Sequence, residues 1–60
     1  MAKEKILIVE DEGTSRALLT TALEKAGYQV FQSTDGEEAY QVAKAVRPDL
    51  IISDIVMPEM

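Results

Sequence analysis

The chain predicts an α/β fold with a parallel sheet, in the order strand, helix, strand, helix, strand. Three observations lead there. The apolar runs Ile6-Leu7-Ile8-Val9 and Leu50-Ile51-Ile52 have the brevity and β-branched content of strands buried on both faces. Between them, apolar residues recur twice at helical spacing over stretches of about a dozen residues. Strands alternating with helices of that length pair in parallel through right-handed crossovers.

The first strand takes residues 5 to 9, bounded by Lys5 and by the polar stretch from Glu10 to Ser15. From Thr14 to Ala26, the residues Leu19, Ala22, Leu23 and Ala26 fall at i, i+3, i+4 and i+7, one face of a helix. Gly27 supplies the left-handed position that ends it, and Tyr28 folds back onto Leu23 as the apolar contact of that cap. Residues 28 to 32 make a weaker second strand, with Tyr28 and Val30 on one side and a polar flank suited to a sheet edge. Thr34-Asp35-Gly36-Glu37 has capping-box spacing, and Ala39, Val42, Ala43 and Val46 repeat the helical period behind it. Thr14, Ser15, Thr34 and Asp35 read as caps, and Glu12 as a solvated acid favourable to the first helix's dipole. Pro48 stops the second helix by Arg47. Leu50 to Ser53 form the third strand, apolar on both faces, and Met57-Pro58 opens the loop after it. With no internal repeat, low-complexity tract or linker, residues 1–60 read as a single unit.

Composition narrows the chemistry. Cysteine and histidine are both absent, which removes disulfides, thiolate-bound zinc, a histidine nucleophile and a histidine general base. Oxygen ligands remain, and these suit magnesium, calcium or manganese. Eleven acidic residues against six basic ones give a net charge of −5, which disfavours nucleic acid or an anionic membrane as a direct partner. The apolar stretch behind Lys3 and Lys5 is four residues long and runs into two acids, too short for a signal-peptide core, and no run approaches transmembrane length. Cytoplasmic residence is the expectation.

Three acids carry the functional reading. Glu10 and Asp11 follow the first strand and Asp54 follows the third, at the ends where an open α/β sheet puts its ligand crevice. Carboxylates ~4–6 Å apart repel unless a cation lies between them. Magnesium, which accepts one or two carboxylates plus waters and phosphate oxygens, resolves this, and the Val56 backbone carbonyl is placed to complete the protein's share. A carboxylate beside such an ion attacks a phosphoryl group to give an aspartyl phosphate. Asp54 is the better nucleophile candidate, because the acid pair is placed to hold metal. Without a histidine in the chain, a phosphohistidine donor would come from another molecule.

Together these residues resemble the receiver domain of bacterial two-component response regulators. The segments that carry the resemblance are Ile6 to Glu12, Asp35-Gly36-Glu37-Glu38-Ala39 and Asp49 to Met60. It implies a flavodoxin-like (CheY-like) doubly wound parallel sheet, here partial, with strand order 2-1-3. It also implies Asp54 as phosphoacceptor, Glu10 and Asp11 as the acidic pocket, and the Val56 carbonyl beside them around magnesium. A histidine kinase or phosphotransfer protein is the implied donor, and self-phosphorylation and autodephosphorylation the most catalysis expected. Glu10 departs from the Asp-Asp form of the pair, its longer side chain reaching a metal directly or through water.

Receivers have five strands and five helices, and these 60 residues match the N-terminal half. The switch hydroxyl of the fourth strand and the lysine of the fifth have no positions here, and Lys44 and Arg47 are expected to point away from the acids. A fragment of this kind is expected to be impaired or inactive in phosphotransfer. Its third strand would be an edge with two apolar faces, so self-association through that strand is expected. The alternative is a truncated or engineered half-domain that folds and assembles without phosphotransfer. A magnesium-dependent phosphohydrolase would want an acid two positions after Asp54, where Val56 stands, and a dinucleotide-binding loop would want more glycines than Gly13 alone.

Overall fold

The computed structural model describes residues 3–53. The elements are β1 (Lys5–Val9), α1 (Gly13–Lys25), β2 (Gln29–Ser33), α2 (Gly36–Val46) and β3 (Leu50–Ser53). The sheet is parallel throughout, in the order β2-β1-β3. The most apolar strand is thus central, and Ile6, Leu7, Ile8 and Val9 are all buried. The register sets Val9 between Ser33 of β2 and Ser53 of β3.

Chain direction places the helices. The crossover from β1 to β2 runs one way across the sheet and that from β2 to β3 runs back, so two right-handed crossovers put α1 and α2 on opposite faces. Side chains agree. Ile6 shares an open groove of about 250 Å³ with Leu23 of α1, whereas Lys5, one pleat away, donates from Nζ to the Val46 carbonyl at the end of α2 (3.0 Å).

The start of α1 differs from the expected caps, while α2 keeps Asp35 as its cap with a different bonding pattern. Glu12, not Thr14 or Ser15, caps α1, its Oε1 accepting from the Ser15 amide at 2.7 Å. Asp35 caps α2, accepting from the Glu38 amide at 2.8 Å, and Glu38 reaches back to the Thr34 amide. The capping bonds therefore link Asp35 to the Glu38 amide and the Glu38 carboxylate to the Thr34 amide, in place of the expected box of Thr34 with Glu37, because an ionised carboxylate accepts more strongly than a hydroxyl.

The end of α1 is as expected. Gly27, at φ 101°, lets its own amide bond to Glu24 O and the Tyr28 amide bond to Leu23 O, the paired bonds of a Schellman cap. The buried stripe of α1 is different: Ala22 and Ala26 are exposed, while Thr20 is buried. Thr20 tolerates this because its hydroxyl donates to the Arg16 carbonyl at 2.8 Å. α2 ends at Arg47, which takes the left-handed conformation (φ 52°) before Pro48. β3 pairs with β1 on one side, and Leu50 and Ile51, on its two faces, are 54% and 52% exposed.

Candidate functional site

β1 delivers its chemistry at its carboxyl end. One residue past the strand, the Glu10 amide donates to Ser33 O at 3.0 Å, extending the ladder to β2, and the Ser33 hydroxyl donates to Ile8 O at 3.2 Å. Glu10 is only 5% exposed. Its Oε2 accepts from the Glu12 amide at 3.1 Å, while its Oε1 is buried with no partner among the described residues. A carboxylate oxygen lacking a partner costs free energy unless something supplies one. Hard oxygen donors are what magnesium or calcium takes, so the residues present fit such an ion.

Asp11, the other member of the pair, is exposed. Asp54 and Val56 lie outside the described residues, as does the loop opened by Met57-Pro58. Among the described residues no three acidic side chains come together as a metal cluster, and the expected threefold convergence turns on Asp54. Ser53, immediately before it, sits opposite Val9, immediately before Glu10. Lys44 and Arg47 stand at the far end of α2, with the Lys44 ammonium 5.1 Å from the Tyr40 ring centre.

Two residues of this region escape a sequence reading built on acids. Arg16 donates from Nη1 to the Glu10 carbonyl (2.9 Å) and from Nε to Gln32 Oε1 (3.1 Å). The i, i+4 spacing of Glu12 and Arg16 marks them as neighbours at the helix start; Gln32 gives no signal beyond being polar at a strand's end. Glu12 itself serves the helix. The Ser15 amide above all, then the Ser15 hydroxyl, the Thr14 amide and the Arg16 charge, hold its carboxyl below the usual glutamate range.

The groove beside Leu23 and Tyr28 is rimmed by Glu4 and Asp49, at the amino ends of the strands and away from Glu10. Glu10 and Asp11 do not line it. No helix among the described residues is long and apolar enough to cross a membrane.

A two-sided parallel sheet with a buried acid after its central strand defines a doubly wound α/β protein, the class in which ligands generally bind outside the strands' carboxyl ends. The family model for the response regulator receiver domain matches residues 6–60, and the chain belongs to that family. It is 42% identical to the chemotaxis protein CheY4 of Vibrio cholerae, whose structure superposes with a TM-score of 0.89 over 98% of this chain and 49% of that one. It is 43% identical to sporulation initiation phosphotransferase F of Bacillus subtilis, over 100% of this chain and 48% of that protein. It is 44% identical to the alkaline phosphatase synthesis transcriptional regulatory protein PhoP of the same organism, over 95% of this chain and 24% of that protein. The chain thus spans from a quarter to a half of these relatives' length. Receiver domains are signalling domains, and the sheet order 2-1-3 expected from the resemblance is the order observed.

Proposed function

We propose that the chain is the phosphoacceptor module of a two-component phosphorelay, receiving a phosphoryl group on Asp54 from a phosphohistidine of a histidine kinase or phosphotransfer protein. The observation that supports it most is Glu10, buried after the central strand with one carboxylate oxygen unpartnered among the described residues. Glu10, Asp11, Asp54 and the Val56 carbonyl would hold magnesium, which when bound neutralises charge on the phosphoryl oxygens. An Asp54 carboxylate oxygen bonds to phosphorus as the bond from phosphorus to the donor's imidazole nitrogen breaks, and the electron pair of that bond stays on the nitrogen. The central strand's register supports the same reading, since Val9 and Ser53, the residues before Glu10 and Asp54, are partners in the sheet. Cytoplasmic residence belongs to this proposal.

Manganese, a paramagnetic stand-in for magnesium, tests the pocket by electron paramagnetic resonance. The parent chain takes up the ion, and Glu10→Gln and Asp11→Asn each weaken uptake at least tenfold. Equal uptake by the parent and both variants contradicts the assignment.

A second reading, assembly without phosphotransfer, has its own support in the exposed Leu50 and Ile51 of β3. In this reading the isolated 60-residue polypeptide self-associates across that strand and takes up no phosphoryl group.

A further inference from the structure

We propose that Arg16 is a positioning residue, holding the Glu10-Asp11 pair in the geometry that accepts a cation; this rests on the metal reading above. Arg16 lies in the first turns of α1, and its one guanidinium joins the loop after β1 to the end of β2 through Glu10 O and Gln32 Oε1. Glu10 is the hub. Its amide is held by Ser33 O, its carbonyl by Arg16, and its Oε2 by the Glu12 amide, so the remaining oxygen, Oε1, is fixed in direction.

Electrostatics alone would not put an arginine here. A cation near the start of a helix opposes the helix dipole, and a cation beside an acidic pocket opposes a divalent ion. What offsets both is geometry: a planar guanidinium donates in two fixed directions, which a lysine ammonium does not reproduce. The Thr20 hydroxyl on the Arg16 carbonyl holds the donor's own backbone one turn further along.

The two effects of the guanidinium predict opposite outcomes when it is removed. Loss of repulsion tightens cation binding, and loss of positioning weakens it. Outer-shell partners of metal ligands typically contribute 10–100-fold in affinity, so positioning wins.

Manganese binding is measured on the parent chain, Arg16→Ala, Arg16→Lys and Gln32→Ala, with Gly27→Ala, at the opposite end of the strands, as a variant destabilised away from the site. Amide hydrogen exchange is followed without metal. The expected result is roughly tenfold weaker binding in Arg16→Ala and a several-fold loss in Gln32→Ala, which leaves α1 untouched. Arg16→Lys is expected to rescue little, Gly27→Ala to bind like the parent, and the Glu12 amide to exchange faster in Arg16→Ala. Equal or tighter manganese binding in Arg16→Ala, with the parent binding, overturns the positioning role alone. A parent chain that takes up no manganese overturns the metal reading, and this inference with it.

Discussion

Leu7 and Ile8 have no exposed surface because their strand lies between two others and under a helix on each face. Each therefore loses packing in proportion to any atoms removed. Ile8→Val should cost about 1 kcal/mol, seen as a lower urea midpoint with an unchanged slope. Glu12 responds to pH. Its carboxyl titrates below the usual range in the folded chain, the Ser15 amide being the main cause, so its stabilisation is complete above the unfolded glutamate pKa, about 4.3. It is lost as pH falls through the lower folded value. Glu12→Gln should flatten stability against pH in that acid window and leave the neutral-pH profile's shape unchanged, as read by thermal unfolding.

At the scale of elements, the strands were the most legible part of the sequence. A run such as Ile6-Leu7-Ile8-Val9 has few ways to be buried except between other strands, and Leu50–Ser53 is observed as expected. The first helix was expected from Thr14 to Ala26 and runs from Gly13 to Lys25. That offset has a cause: a glutamate took the capping role that serine or threonine usually fills, and periodicity is blind to which side chain captures the first free amides. Thr20 was hidden for a related reason, since burying it depends on an intrahelical hydrogen bond and not on hydropathy. Gly27 was legible because a left-handed turn before an aromatic residue has few other readings. Space is open around its absent Cβ, so the penalty of Gly27→Ala is conformational. It should lower stability by about 1 kcal/mol, measured by urea unfolding, with the Tyr28 amide losing hydrogen-exchange protection.

At the scale of the molecule, the acids were legible as types and positions, and Glu10's burial follows from the central place of β1. The Arg16-Gln32 bridge was not, because it joins residues sixteen apart that only the register of β2 beside β1 brings together. β3 offers apolar side chains on both faces. Sedimentation velocity should therefore show concentration-dependent association of the isolated polypeptide, reduced by Ile51→Lys; a monomer at all concentrations would remove β3 as an assembly surface. The central claim concerns Asp54, and native mass spectrometry with magnesium and a small acyl-phosphate donor tests it most directly. One phosphoryl group should appear slowly on the parent chain and not on Asp54→Asn. An unlabelled parent under conditions that label a whole receiver, or label persisting on the variant, would contradict it.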